Sequence, residues 1–211
     1  LYFKKKKLNG YMQETSKKIT VPKLRFSEPK HNLPGRKGVA TAEDRFTIAF
    51  TRAYLKKAAA LHHKSTKENF AFAREIPVNG YGIADLHIVA WQDNTNVSFE
   101  SVNDFIESAS PCTRAFECKL ENWRKALSQA LRYGFFSNQA IVVLPTDTCE
   151  NALEFLETFK MVGVGLWSFN KETGCIRSYY TPRPSRPISE RYYHKAIHLV
   201  SKASKKTLPI N

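Results

Sequence analysis

Apolar residues recur along this chain with two periods, and the switches between them predict its elements. From Thr41 the spacing is helical. Thr41 precedes Asp44 by three residues at the head of an apolar-periodic run, which is a helix-start pattern. Phe46, Ala49, Phe50, Ala53 and Leu61, with Tyr54 beside them, form one stripe that carries the helix to about His63. Glu43 lies in line with that stripe, while Asp44 is rotated off it toward the helix dipole. A dipole role at the helix start is the competing reading for Glu43. After a polar break at 64–69 the period shortens to two. Residues 70–78 and 81–91 read as strands joined by the hairpin signal Asn79-Gly80. In the second strand Ile83, Asp85 and His87 share one face, and Ala84, Leu86 and Ile88 the other.

Residues 92–113 form a polar insertion with a short helix at 101–109. The strand that follows sets Ala115, Glu117 and Lys119 on one face and Phe116, Cys118 and Leu120 on the other. Residues 121–134 return to helical spacing, with Leu120, Trp123, Ala126, Leu127, Ala130 and Leu131 as the stripe and Gly134 as the stop. The continuous apolar run 140–145 reads as a strand covered on both faces and paired in parallel through the preceding helix. A helix is expected over 147–160, with Ala152, Leu153, Leu156 and Phe159 inward. Strands at 162–169 and 175–180, a Pro/Arg-rich linker at 181–187 and a helix at 189–203 complete the chain. The order predicts an α/β sandwich with a mixed sheet, antiparallel at the hairpins and parallel after the crossover helix.

Length and charge sharpen this picture. The 211 residues suit one domain with extensions: a basic arm over 1–37, a core domain over 38–180, and a linker with a basic helix over 181–211. Leu1-Tyr2-Phe3 reads as the remnant of a cleavable tag. A net charge of +14 favours a polyanionic partner, nucleic acid ahead of an acidic membrane surface; a merely soluble basic protein is the alternative. The four cysteines form no Cys-x-x-Cys pair and read as free thiols of a reducing, cytoplasmic setting. No apolar run reaches membrane-spanning length, so no membrane partner is expected.

The chemistry gathers on the charged strand faces. Asp85 and the Glu117/Lys119 pair each lie at the polar end of a strand whose other face is apolar, and facing side chains on adjacent antiparallel strands are about 5 Å apart. Two carboxylates at that separation repel unless a cation lies between them. A hard divalent ion, Mg²⁺ or Mn²⁺, is the natural occupant. Such an ion would polarise a phosphodiester and acidify a bound water, with Lys119 orienting or deprotonating that water or neutralising transition-state charge.

Gly82-Ile-Ala-Asp85-Leu, then Phe116-Glu117-Cys118-Lys119-Leu120, then Gln129 and Tyr133 on the next helix together resemble the PD-(D/E)xK nuclease superfamily. The resemblance covers about residues 36–170. It implies a restriction-endonuclease-like three-layer sandwich with a mixed central sheet flanked by helices, and metal-dependent endonucleolytic hydrolysis of DNA, less often RNA. It also implies Asp85 and Glu117 as metal ligands, Glu43 as an accessory ligand and Lys119 as the catalytic lysine, with Gln129 orienting Lys119 or a phosphate. Ala84 stands where the family name has Pro, and the insertion before the Glu117 strand is long. A non-catalytic nucleic-acid-binding module on the same fold is the alternative, with Glu117 and Lys119 reduced to an ion pair. Arg36, Lys37, Arg124, Lys125, Arg132 and Tyr133 are the candidate nucleic-acid contacts. Cutting two strands with one site per chain implies a homodimer or a partner protein. His87 reads as a hydrogen-bonded structural histidine. Tyr179, Tyr180, Tyr192 and Tyr193, interleaved with arginines, read equally as stacking groups for nucleic acid and as packing for the last helix.

Overall fold

The computed structural model describes residues 40–65, 68–92 and 99–203. The basic arm, with Arg36 and Lys37, lies outside the described residues. The elements run α1 (Ala42–Ser65), β1 (Glu68–Val78), β2 (Gly82–Gln92), α2 (Val102–Ala109), β3 (Cys112–Cys118), α3 (Trp123–Tyr133), β4 (Gln139–Pro145), α4 (Thr146–Leu153), α5 (Leu156–Met161), β5 (Val164–Phe169), β6 (Ile176–Tyr180) and α6 (Glu190–Ala203). The fold is α/β. Its mixed six-stranded sheet runs in the order β1-β2-β3-β4-β5-β6. Strands β3, β4 and β5 are parallel to one another, and the remaining neighbours are antiparallel.

Strand alternation sends two sets of side chains to opposite faces. Phe116 of β3 and Trp167 and Phe169 of β5 meet α1, where Phe50 packs edge-on against Phe116 and Phe169 at 5.3 and 5.7 Å between ring centroids. Burying each such ring contributes about 2–3 kcal/mol. The other face carries Ala115, Ala140, Val142, Leu144, Val164 and Leu166 against Ala126, Leu127 and Ala130 of α3 and Ala196, Ile197 and Val200 of α6. Gly165 is required by this packing: an added Cβ would lie 2.8 Å from Ile141 and 3.1 Å from the Tyr180 carbonyl.

The start of α1 follows its expected cap. Thr41 and Asp44 exchange hydrogen bonds, Asp44 N to Thr41 Oγ1 at 3.1 Å and Thr41 N to Asp44 Oδ2 at 2.8 Å. Phe46 and Phe50 are buried as expected, and Leu55 joins them. The side chain of Leu61 lies outside the described residues.

Other expectations are corrected. The helix expected over 147–160 is two helices, interrupted at Glu154 and Phe155. In α3 it is Tyr133, fully buried, that completes the stripe, while Leu131 is 41 % exposed. Gly134 keeps a right-handed backbone (φ −59°), so the helix unwinds through further turns instead of stopping at a left-handed glycine. The stretch 181–187 is no free linker: Gln139 Nε2 donates to the Pro182 carbonyl at 2.5 Å, and Trp167 Nε1 to Thr181 at 2.8 Å. Helix α6 completes the core that includes β1 and β2. Tyr193 is buried there and donates to the Pro111 carbonyl, and Tyr179, Tyr180 and Tyr192 pack around the same cluster. The insertion also contributes to the core, because Trp91, Phe99 and Phe105 form an aromatic group beneath α2.

One irregularity bears on function. The core residues of β1 are Ala71 and Ala73, then Ile76 and Val78, so the alternation slips by one residue at Glu75. Its neighbour β2 slips at the facing position, contributing Val89 and then Ala84. The expected face shared by Ile83, Asp85 and His87 is therefore broken at Asp85. Glu75 has a left-handed backbone (φ 53°), an uncommon conformation for a residue with a Cβ.

Candidate active site

Asp85 sits at a point where both of its ladders lapse. The β1–β2 pairing steps from Arg74↔Leu86 to Ile76↔Ala84, and the β2–β3 pairing stops at Leu86↔Phe116. Continued by one step, the second register sets Asp85 opposite Glu117. The carboxylate takes over there from a backbone acceptor: Cys118 N donates to Asp85 Oδ2 at 2.7 Å. Burial, and then the neighbouring charge of Glu117, push the Asp85 carboxyl up to about 8. Asp85 nonetheless retains partial solvent exposure, so a ligand can reach it.

Glu117 is 1 % exposed. Its Oε2 receives the Tyr133 hydroxyl, and its Oε1 lies 3.3 Å from Lys119 Nζ. Burial raises its affinity for a proton, while the Tyr133 hydrogen bond and the Lys119 charge act the other way; the net direction is upward. Tyr133 is itself driven above the usual phenol range by burial and by Glu117, so it remains a donor.

Lys119 lies one residue past the end of β3, and its N–H still donates to the Val143 carbonyl of β4 at 3.1 Å. Its ammonium reaches Glu43 Oε1 at 2.5 Å. Burial opposes its charge, but the Glu43 hydrogen bond and the charges of Glu117 and Asp85 outweigh this and hold it above the ordinary lysine range. Lys119 is therefore a resident ammonium at neutral pH and not a base.

The four residues singled out in the sequence thus form one linked cluster, with the Lys119 ammonium between Glu43 and Glu117. Glu43 is tied to Lys119 and is not placed as a third ligand. Among the described residues no group of three or more His, Cys, Asp or Glu side chains is disposed to hold a metal ion. The donor set that fits a hard divalent ion is the pair Asp85 and Glu117: two carboxylates whose protons are held up by burial and, at Asp85, by the other's charge, which a cation would relieve.

Gln129 is half-buried and its Oε1 has no hydrogen-bond partner. The polar neighbours of Lys119 Nζ are Glu43 and Glu117, so Gln129 is not its orienting group. Tyr133 is too buried to stack on nucleic acid; it supports Glu117 from behind, with the Ile83 carbonyl also 2.7 Å from its hydroxyl. Arg124, Lys125 and Arg132 are exposed on α3, and Arg132 extends to Gly82 beside Tyr133. His87 is fully buried against Phe136 with neither ring nitrogen hydrogen-bonded, and burial pushes its pKa down to about 3. Cys118 faces α1 and is kept protonated by burial, which removes it as a nucleophile.

The left-handed Glu75 was not among the expected site residues. A strand with a hydrophobic phase slip between Ala73 and Ile76 was the available signal. No protein-family model matches the sequence, and no curated protein sequence matches it significantly. Among the described residues no helix is long and apolar enough to cross a membrane.

Proposed function

We propose that this chain is a divalent-metal-dependent nuclease of the PD-(D/E)xK type on a restriction-endonuclease-like fold, hydrolysing DNA phosphodiester bonds. The observation that carries the reading is the apposition of Asp85 and Glu117 where the β2–β3 ladder opens, with the Lys119 ammonium 3.3 Å from Glu117. Asp85 and Glu117 would hold Mg²⁺ or Mn²⁺, which when bound supplies Lewis-acid polarisation of the phosphodiester and a more acidic water. Lys119 offers a fixed positive charge to the pentavalent phosphorus as negative charge builds on its oxygens. Glu43 holds that ammonium in place. Tyr133 fixes one oxygen of Glu117, and the Cys118 N–H fixes one of Asp85. Arg124, Lys125 and Arg132 supply the positive surface that draws a phosphate backbone toward this edge.

The second reading is a non-catalytic nucleic-acid-binding module. It is favoured by the Lys119 position between Glu43 and Glu117, where the ammonium already serves as the counter-ion of the cluster.

Incubation of the protein with plasmid DNA, linear DNA and single-stranded RNA, each with Mg²⁺ or Mn²⁺, separates these readings. Cleavage abolished by both Asp85→Ala and Lys119→Ala is expected. Binding without cleavage under every metal would leave the binding module standing, and cleavage of RNA alone would change the substrate.

A further inference from the structure

Between the start of α3 and the end of α4 lies an open groove of about 530 Å³. Its wall is tied to the chain one residue past Lys119, where Thr148 donates to the Leu120 carbonyl at 2.6 Å. It also lies at the C-terminal ends of the parallel strands β3 and β4, the edge where open α/β sheets bind ligands. The interruption between α4 and α5 gives this groove its character. It leaves Phe155 37 % exposed, with its ring 4.8 Å from that of Trp123. The Arg124 guanidinium covers both rings, at 4.3 Å from Trp123 and 5.0 Å from Phe155. Among the described residues it is engaged in no ion pair. Its flat face and N–H edge are thus preset by stacking.

Charge selects the occupant. Glu121 and Glu154 line the groove with Arg124, so the lining carries more negative than positive charge. A duplex backbone, with a phosphate row on each strand, meets repulsion there. A single base does not: its flat face can stack on Phe155 and the guanidinium, while its amino and imino hydrogens meet carboxylate acceptors. One phosphate then suffices for Arg124.

We propose that this groove seats an unpaired base of a single-stranded nucleic acid adjoining the scissile phosphate. The position of that phosphate rests on the nuclease reading; the groove's preference for an unpaired base does not. The substrate class is a single strand or the single-stranded part of a branched or frayed duplex.

Fluorescence anisotropy with a short labelled oligonucleotide, single-stranded or annealed to its complement, tests this. It is run on the full chain in EDTA, so that no cleavage intervenes, and at raised salt to suppress phosphate attraction. Tighter binding of the single strand than of the duplex is expected. Phe155→Ala should weaken single-strand binding about tenfold while leaving the duplex unchanged, and Arg124→Ala should weaken the single strand more than the duplex. Phe155→Tyr should keep the wild-type affinity, and unchanged duplex binding by Phe155→Ala excludes a folding defect as the cause. DNA and RNA arms should both respond to Phe155→Ala, and the tighter arm identifies the sugar. Preference for the duplex, equal losses on both forms, or a Phe155→Tyr variant as weak as Phe155→Ala would overturn the proposal. Cleavage assays on the same proteins separate the two claims. Phe155-dependent binding without cleavage sinks the nuclease and keeps the groove, and cleavage with Phe155-independent binding does the reverse.

Discussion

The backbone N–H of Cys118 donates to the side chain of Asp85 at 2.7 Å, at the step where the strand register would pair Asp85 with Glu117. A carboxylate thus stands in for a ladder carbonyl, and its orientation is set by the sheet itself. Asn at this position keeps the acceptor and removes the charge. The folded-state value of Asp85 is raised from 3.8 to about 8, so its contribution to stability is present below 3.8 and lost as pH climbs through 8. Asp85→Asn should therefore be more stable than wild type at pH 8, by about 1–3 kcal/mol once solvent access is discounted, and inactive. Mg²⁺ should raise the melting temperature of the wild type at that pH and not of the variant. Thermal denaturation with and without Mg²⁺ measures both.

Lys119 is expected to act by charge. Lys119→Met should lower cleavage by about a hundredfold or more while retaining Mg²⁺ binding. Glu43→Gln should lower it by a smaller factor, because the ammonium persists but loses its anchor. Single-turnover kinetics beside calorimetric Mg²⁺ titration distinguishes loss of chemistry from loss of the ion.

Tyr133→Phe removes a donor that eases ionisation of Glu117. The variant should lose about 1–3 kcal/mol of stability. Its pH–rate profile should move toward alkaline pH, because Glu117 then holds its proton more firmly. An unmoved acid limb would contradict a link between Tyr133 and the ionisation of Glu117.

His87 is buried and neutral, with its pKa lowered from 6.5 to about 3. The unfolded chain takes up a proton between those values and the folded chain does not, so stability falls as pH drops from 6.5 toward 3. His87→Leu should flatten that acid loss, read as denaturant midpoints at pH 7 and pH 4.

Glu75 holds a left-handed backbone within a strand. Glu75→Gly should stay within about 1 kcal/mol of wild type, the relief of strain offsetting the 3.8 Å pair with Arg74. Glu75→Val should cost about 2 kcal/mol or more, because a β-branched residue resists that conformation. Urea denaturation of the two variants provides the comparison.

The strands were legible because 140–145 is a continuous apolar run, residues 83–88 alternate, and Asn79-Gly80 marks the hairpin. Asp85, Glu117, Lys119 and Glu43 were legible as neighbours because each ends or begins an element on the same edge. Their division of labour was not. Whether Glu43 meets a metal or an ammonium depends on distances of a few ångströms that spacing does not encode. The choice of Tyr133 over Leu131 for the buried stripe was likewise hidden, since both flank the same helical face and only the position of Glu117 draws the phenol inward. The interruption at Glu154 and Phe155 leaves no Gly or Pro in the sequence to announce it.

Helix α6 has a further consequence for how this protein is made. It covers β1 and β2, which precede it in the chain by about a hundred residues and more. During synthesis the first hairpin emerges early and can pair at once, but β1 lacks its main cover until residues 190–203 have left the ribosome. Ala71, Ala73 and Val89 stay open to other chains for that interval. The nascent protein thus carries its greatest risk of aggregation before the last helix arrives, and a translational pause upstream of Glu190 would prolong it.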